Sequence, residues 1–288
     1  MPAGLQGRLS GARPRLRGPA ASAAGHVEAG LDEMAKDTGT EGDMDQRETA
    51  WRREAHDRYD NYAMLARLFQ REVDAELLAD LKESFAAEPT GDHRFDEGCA
   101  LLRQHLDGVE DVARGRSALA IDYCLTFLGY GTDPDAADEA GLRAAYPYES
   151  IYRSGGKTLG GDRCAQVSQA YRAGEFAPDT ERIIAQDHLA CELSFMRHLA
   201  GREMAAWDRK DAEGARALRA QQATFLEDHL AQWVGSFAKA VERFSETDFY
   251  RGLARMTCAW VEMDAASLAP AQQAAPCGRE ATELPIDK

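Results

Sequence analysis

Apolar side chains recur every three or four positions along most of the chain, which is the spacing of one face of an α-helix. The pattern is interrupted at length only between about residues 131 and 161, where glycines and Pro147 cluster. No stretch alternates apolar and polar residues between hairpin turns, as a half-buried strand would. The sequence therefore predicts an all-α fold. The predicted helices carry these apolar positions: Trp51, Ala55, Tyr59, Tyr62, Leu65 and Phe69; Val73 to Phe85; Phe95 to Leu106; Leu119, Tyr123, Phe127 and Tyr130; Phe225, Leu230, Trp233, Phe237, Val241 and Phe244; and Phe249, Leu253, Met256, Trp260 and Met263.

The helical pattern spans residues 46–267, which we expect to form a single multi-helix, bundle-like domain. Residues 1–45 are rich first in Gly, Ala, Pro and Arg and then in acidic residues, without helical periodicity. Residues 268–288 are rich in Ala, Gln and Pro. Neither end has enough apolar surface to offset the entropy lost on ordering. We therefore expect disordered N- and C-terminal tails around the helical domain.

The segment from Ala185 to Leu199 brings ionisable side chains to the edge of an apolar stripe. Asp187 and His188 are adjacent there, and Glu192 lies one helical turn beyond His188. A polar group in this position is either a buried hydrogen-bonded cluster or part of a binding surface. The stripe itself would consist, at helical spacing, of Ile184, His188, Cys191, Phe195 and Leu199.

Charge and cysteine content limit the partners and the compartment. The formal net charge is −15 and the sequence pI is about 4.9, which disfavours nucleic acid and favours basic partners. The six cysteines are scattered without a C-x-x-C motif, which is typical of a reducing compartment rather than of a disulfide or zinc scaffold. No apolar run reaches the length of about 18 residues that a membrane span requires. We expect a cytoplasmic protein without a membrane span.

Taken alone, Asp187, His188 and Glu192 also permit a second interpretation, because His188 and Glu192 at i, i+4 can reach one ion. The chain would then be a metal- or small-ligand-binding helical-bundle enzyme. A carboxylate-bridged bundle site takes such a motif from two helices, and no second one appears on an apolar stripe. There is also no nucleophile elbow and no Gly-rich dinucleotide motif. We therefore expect a protein that is not an enzyme and has no cofactor of its own.

Several motifs, in order along the chain, resemble those of the TorD/DmsD/NarJ family of molybdoenzyme maturation chaperones. The run D-H-L-A-C-E-L-S-F-M is similar to the family's D-H-x-x-x-E-L-x-F-M signature. Pro147-Tyr148-Glu149-Ser150-Ile151-Tyr152 resembles its P-W-x-S-V-Y motif, with tyrosine in place of the common tryptophan. Further similarities are Asp122-Tyr123 through Phe127-Leu128-Gly129, Phe225-Leu226 through Phe237, and Phe249-Tyr250.

The resemblance implies an all-helical cytoplasmic chaperone. Its partner would be the catalytic subunit of an apo-molybdoenzyme with its twin-arginine leader peptide, which the chaperone holds back from export until the cofactor is loaded. Such a leader combines a cationic patch with an apolar stretch, so its receptor needs an apolar groove rimmed with carboxylates. Asp187 and Glu192 would accept arginine guanidinium groups. The residues expected to bind the peptide are Asp187, His188, Glu192, Tyr148, Glu149, Ser150, Tyr152, Tyr123 and Phe127.

A structural interpretation of the same residues stays open. Asp187, His188 and Ser150 can instead fasten the irregular segment to the helical bundle, because buried polar groups are normally satisfied within the protein. The two roles do not exclude each other.

Overall fold

The computed structural model describes residues 15–16, 39–87, 89–131, 137, 141–153, 159–180 and 183–269. The fold is all-α, as the sequence predicts. A pair of two-residue parallel strands, β1 (Arg15–Leu16) and β2 (Ala86–Ala87), accompanies the helices. The helices are α1 (Gly39–Gln70), α2 (Ala75–Ser84), α3 (His93–Gly108), α4 (Val112–Leu128), α5 (Glu149–Arg153), α6 (Asp162–Ala173), α7 (Leu189–Asp208), α8 (Ala212–Phe225), a π-helical turn (Leu226–Leu230), α9 (Ala231–Phe244) and α10 (Asp248–Leu268).

Helices α1 and α10 are the first and last helices of the domain. Helix α1 starts at Gly39, upstream of the predicted start at residue 46, and α10 ends at Leu268, beside the predicted end at 267. Most of the two predicted tails falls outside the described residues. Within the described part of the chain, no helix combines the length and apolarity needed to cross a membrane.

Aspartate side chains begin four of the helices. Asp74, Asp92, Asp111 and Asp211 each precede a helix and accept a hydrogen bond from a backbone N–H in its first turn. These bonds satisfy amide groups that have no partner within the helix. These four acidic residues therefore have a structural role.

The bundle is built around two long helix pairs, α1 against α7 and α3 against α10. In the second pair two glycines permit a close approach: a Cβ atom added to Gly98 would lie 2.8 Å from the carbonyl oxygen of Gly252. The aromatic positions of the predicted stripes fill the core. The largest fully buried side chains include Trp207, Trp233, Trp260, Tyr62, Tyr171, Tyr250, Phe69, Phe95, Phe127, Phe195 and Phe237.

A buried polar network joins α1, α7, α8 and α10 within that core. The guanidinium of Arg58 donates to Glu203 at 2.9 Å, and the Gln222 amide donates to the same carboxyl oxygen at 2.7 Å. The Tyr62 hydroxyl donates to Asp264 at 2.6 Å. These partners compensate charges that would be very unfavourable alone in the interior.

Candidate functional site

The irregular segment after α4 lies against the start of α7. The Glu149 N–H donates to the Asp187 carbonyl at 3.0 Å, and the Leu189 N–H donates to the Pro147 carbonyl at 2.8 Å. Tyr148 and His188 are paired between them as an isolated antiparallel bridge. Two motifs about forty residues apart in sequence thereby form one structural unit.

Asp187 holds the start of α5. One of its carboxyl oxygens, Oδ2, accepts a hydrogen bond from the Ser150 N–H at 2.9 Å. The Ser150 hydroxyl in turn accepts from the Gly160 N–H at 3.0 Å, which ties down the far end of the loop after α5. Asp187 and Ser150 are completely buried. These contacts are the ones that the structural interpretation of the two residues requires.

His188 caps α7. Its Nδ1 accepts a hydrogen bond from the Ala190 N–H at 3.0 Å, and the Tyr148 ring contacts the imidazole edge-on with 4.9 Å between ring centroids. Burial lowers the pKa of His188 to about 3, because the charged form would lose its hydration. His188 is therefore a neutral acceptor at the N-terminus of α7.

Glu149 is a completely buried acid with two basic partners. Its Oε1 accepts from Nη1 of Arg153 at 2.6 Å, and its Oε2 lies 2.9 Å from Nδ1 of His229. His229 belongs to the π-helical turn between α8 and α9, whose Asp228 carbonyl accepts from the same Arg153 nitrogen at 2.6 Å. The local π geometry thus brings the turn to α5.

Glu192 is also completely buried, and its Oε2 accepts from the indole N–H of Trp233 at 3.2 Å. Burial raises the pKa of Glu192 well above its usual value, and the charges of Glu149 and Asp187 raise it further. Glu149, Asp187 and Glu192 are called the acid cluster below. The repulsion among these three neighbouring acids disfavours their being charged at the same time.

The aromatic members of the predicted set connect the acid cluster to the core. Tyr152 stacks on Trp233 with 5.6 Å between centroids and also contacts Phe237. Phe127 packs on Phe237 at 6.1 Å, and the neighbouring Tyr123 donates its hydroxyl hydrogen to the Phe69 carbonyl at 2.9 Å. Tyr123 and Phe127 are buried. The structure therefore brings all nine predicted residues into one contiguous region, although most of them are shielded from solvent.

Two details differ from the sequence-based expectation. Ile184 is not part of the apolar stripe: α7 begins only at Leu189, and the Ile184 side chain is 82% exposed. Asp187 and Glu192, expected at the edge of an apolar face, lie fully inside. Residues 183–188 are non-helical, and Asp187 and His188 pair through their backbone with the segment that contains Tyr148.

Arg153 and His229 belong to this region and were missed from the sequence. Their signals were present: Arg153 follows Glu149 by four residues, and His229 stands in the F-L-x-x-H-L motif. Neither motif indicates that the two side chains meet on one carboxyl group.

Exposed apolar side chains lie on segments that adjoin the site. Tyr148 bonds through its hydroxyl to the backbone of Ile184, and the Tyr146 hydroxyl lies against Gly129 at the end of α4. Leu159 adjoins Gly160, which contacts Ser150. Across the described residues, the large hydrophobic side chains that are exposed all lie on α4 or on the segments flanking the cluster; we call them the apolar rim. They are Ile121, Leu128, Tyr130, Leu159 and Ile184.

The region has little resemblance to a metal centre. His188 uses Nδ1 for the helix cap, and the carboxyl group of Glu192 points to an indole N–H. Among the residues that the structure describes, no group of three or more His, Cys, Asp and Glu side chains is placed to hold a metal ion. The metal-dependent alternative gains no geometric support.

Comparison with known proteins places the chain in a family. Residues 89–239 match the family model described as the nitrate reductase delta subunit, a range that contains all nine predicted site residues. The chain is 30% identical to the chaperone protein TorD of Shewanella oneidensis, over 70% of this chain and 86% of the relative. It is 27% identical to the TorD chaperone of Shewanella pealeana, over 71% of this chain and 86% of that protein. The TorD chaperone of Shewanella piezotolerans is 26% identical, over 70% and 88%. The chain therefore belongs to the TorD/NarJ family, and the relatives named here are chaperones.

Proposed function

We propose that this protein is a maturation chaperone for a molybdenum-cofactor oxidoreductase. It binds the twin-arginine leader, or another segment of the apo-enzyme, in the cytoplasm and holds it until the cofactor has been loaded. Family membership supports the broad role, since the related proteins are named as TorD chaperones and as a nitrate reductase subunit. The binding of a leader rests on the geometry of the region around α5 and α7.

The observation that carries the proposal is the position of the apolar rim. Exposed large hydrophobic side chains are single and scattered on an ordinary soluble surface, whereas a group of them indicates an interaction site. Here Leu159 adjoins Gly160, which bonds to Ser150, and the backbone of Ile184 bonds to Tyr148. Leu128 and Tyr130 are exposed at the end of α4. A leader peptide has the matching composition, with an apolar stretch next to a cationic patch.

The charge of the chain supports the same partner. A formal net charge of −15 attracts a cationic peptide over long range and accelerates its encounter. Salt should weaken this attraction, because exposed charges are screened. The apolar contacts should contribute a share of affinity that salt does not remove.

Isothermal titration with a synthetic leader that carries two adjacent arginines and an apolar stretch tests the proposal. We expect binding that weakens on replacing either the arginines or the apolar residues of the peptide. On the protein, Ile184→Ser should lower the affinity about five- to tenfold, since it removes one exposed apolar side chain from the rim. Ala220→Ser, an exposed apolar change on α8, is the matched control and should have no effect. Absence of binding by folded wild-type protein would refute the leader-binding role.

A further inference from the structure

Arg153 occupies a site that is built to accept a guanidinium group. Its Nη1 donates to Oε1 of Glu149 and to the carbonyl oxygen of Asp228, each at 2.6 Å. We call this pair of acceptors the guanidinium site. Glu149 is completely buried, whereas the Arg153 side chain is 19% exposed. The arginine side chain therefore reaches from the surface to the buried Glu149.

The acid cluster beneath Arg153 retains further acceptor capacity. The oxygens Oδ1 of Asp187 and Oε1 of Glu192 are buried and have no hydrogen-bond partner among the described residues. The charge of Arg153 acts on Glu192, so the two groups are close. A planar guanidinium group with five N–H donors suits such an arrangement better than a single ammonium group does.

We propose that Arg153 is an internal stand-in for an arginine of the bound client, and that the client's arginine replaces it in the guanidinium site. This inference rests on the proposed function and specifies which acid receives the arginine. Asp187 is less suitable, because its Oδ2 holds the start of α5 through Ser150 and no cation of the described chain contacts it. Glu149 already holds a guanidinium group in the free protein.

A buried acid can bind a client arginine here because another arginine leaves it at the same time. An acid in the interior without its counter-charge is strongly unfavourable, so Glu149 must remain paired throughout. A client arginine that takes over both hydrogen bonds preserves the buried charge balance. Arg153 can move to water, because it is the last residue of the five-residue helix α5 and its side chain already reaches the surface.

Isothermal titration with the twin-arginine leader compares the wild-type protein with Arg153→Met, which keeps the side-chain bulk and removes the competing guanidinium group. We expect at least about tenfold tighter binding to the variant, the equivalent of one charge-assisted hydrogen bond that the client no longer has to displace. Arg172→Met, an exposed arginine on α6, is the matched control and should bind like the wild type. Arg153→Lys keeps the charge without the planar fork, so it should show a smaller gain and serves if Arg153→Met does not fold.

A second measurement examines the guanidinium site without a peptide. Methylguanidinium chloride at millimolar concentration should raise the melting temperature of Arg153→Met, and should not raise that of the wild type or of the double variant Arg153→Met, Glu149→Gln. Failure to stabilise Arg153→Met would overturn the guanidinium site.

The two failures can be distinguished. If the leader binds the wild type but binds Arg153→Met no more tightly, the stand-in role of Arg153 is wrong and the proposed function remains. If the leader binds none of these folded proteins, the proposed function is wrong and the exchange of arginines is refuted with it.

Discussion

Replacing Asp187 separates a structural role from a role in binding. In the structure the side chain accepts one hydrogen bond, from the buried Ser150 N–H at 2.9 Å, and its backbone carbonyl accepts another from Glu149. Asp187→Asn keeps the shape and retains an oxygen that can accept from Ser150. Asp187→Ala removes the acceptor and leaves the N–H without a partner in the interior.

The sizes of the two effects follow from these contacts. Leaving a buried donor unsatisfied costs about 1–3 kcal/mol of folding free energy, which is the range expected for Asp187→Ala. Asp187→Asn exchanges a charge-assisted bond for a neutral one, a loss of about 1 kcal/mol. Part of that loss of free energy is offset, because removing the charge of Asp187 also removes its repulsion with the ionised form of the neighbouring Glu192. We therefore expect the asparagine variant to be clearly more stable than the alanine variant.

Urea unfolding of the three proteins at pH 7 measures the stabilities, and titration with the leader peptide measures affinity per folded molecule. We expect Asp187→Asn to bind the leader with the affinity of the wild type, since Glu149 is proposed to receive the arginine. A tenfold loss of affinity with unchanged stability would mean that Asp187 itself is the acceptor. Equal destabilisation by the two substitutions would show that the charge, rather than the hydrogen bond, fastens α5.

Three further predictions concern the bundle. Burial lowers the pKa of His188 to about 3, whereas an unfolded chain takes up the proton near pH 6.5, so acid favours unfolding. In urea unfolding, the wild type should therefore lose more stability between pH 7 and pH 5 than His188→Asn does. The asparagine variant retains a helix-capping side chain. Trp233→Ala should cost about 3–5 kcal/mol in thermal or urea unfolding, since the indole is buried and bonds to Glu192; a stable variant that only loses peptide binding would contradict its place in the core. Gly98→Ala should cost roughly 1–3 kcal/mol of folding free energy, because the new Cβ would meet the backbone of α10 at 2.7 Å. At Gly108 in the same helix a Cβ meets nothing within 4 Å, so Gly108→Ala should be neutral or stabilising.

The helices could be predicted from the sequence because their buried faces repeat with the period of the helix. The stripe of α10, for example, places Phe249, Leu253, Met256 and Trp260 in the core, and all four are completely buried. The same reasoning failed for Ile184, since a short segment of bends and turns with the right spacing resembles the start of a helix. Periodicity indicates a helical face but does not show at which residue the helix begins or ends.

The detailed contacts of the site could not be predicted, because they join residues that are distant in sequence. Glu149 meets His229 across 80 positions, and Trp233 meets Glu192 across 41. Motif resemblance located the region and named most of its residues. It did not reveal that the acids are buried, because burial depends on how the segment around Tyr148 folds over residues 183–188.

We expect a bound client leader to lie along the apolar rim, with its arginine at Glu149. This placement can be mapped with two leader peptides, one with a photo-crosslinking residue in its apolar stretch and one with that residue beside the two arginines. Mass spectrometry then identifies the cross-linked sites on the full-length protein. We expect cross-links from the apolar stretch to the segments containing Leu128, Leu159 and Ile184, and from the arginine end to α5 or to the π-helical turn. Cross-links concentrated instead on the N-terminal half of α8 and the C-terminal end of α7 would contradict this placement.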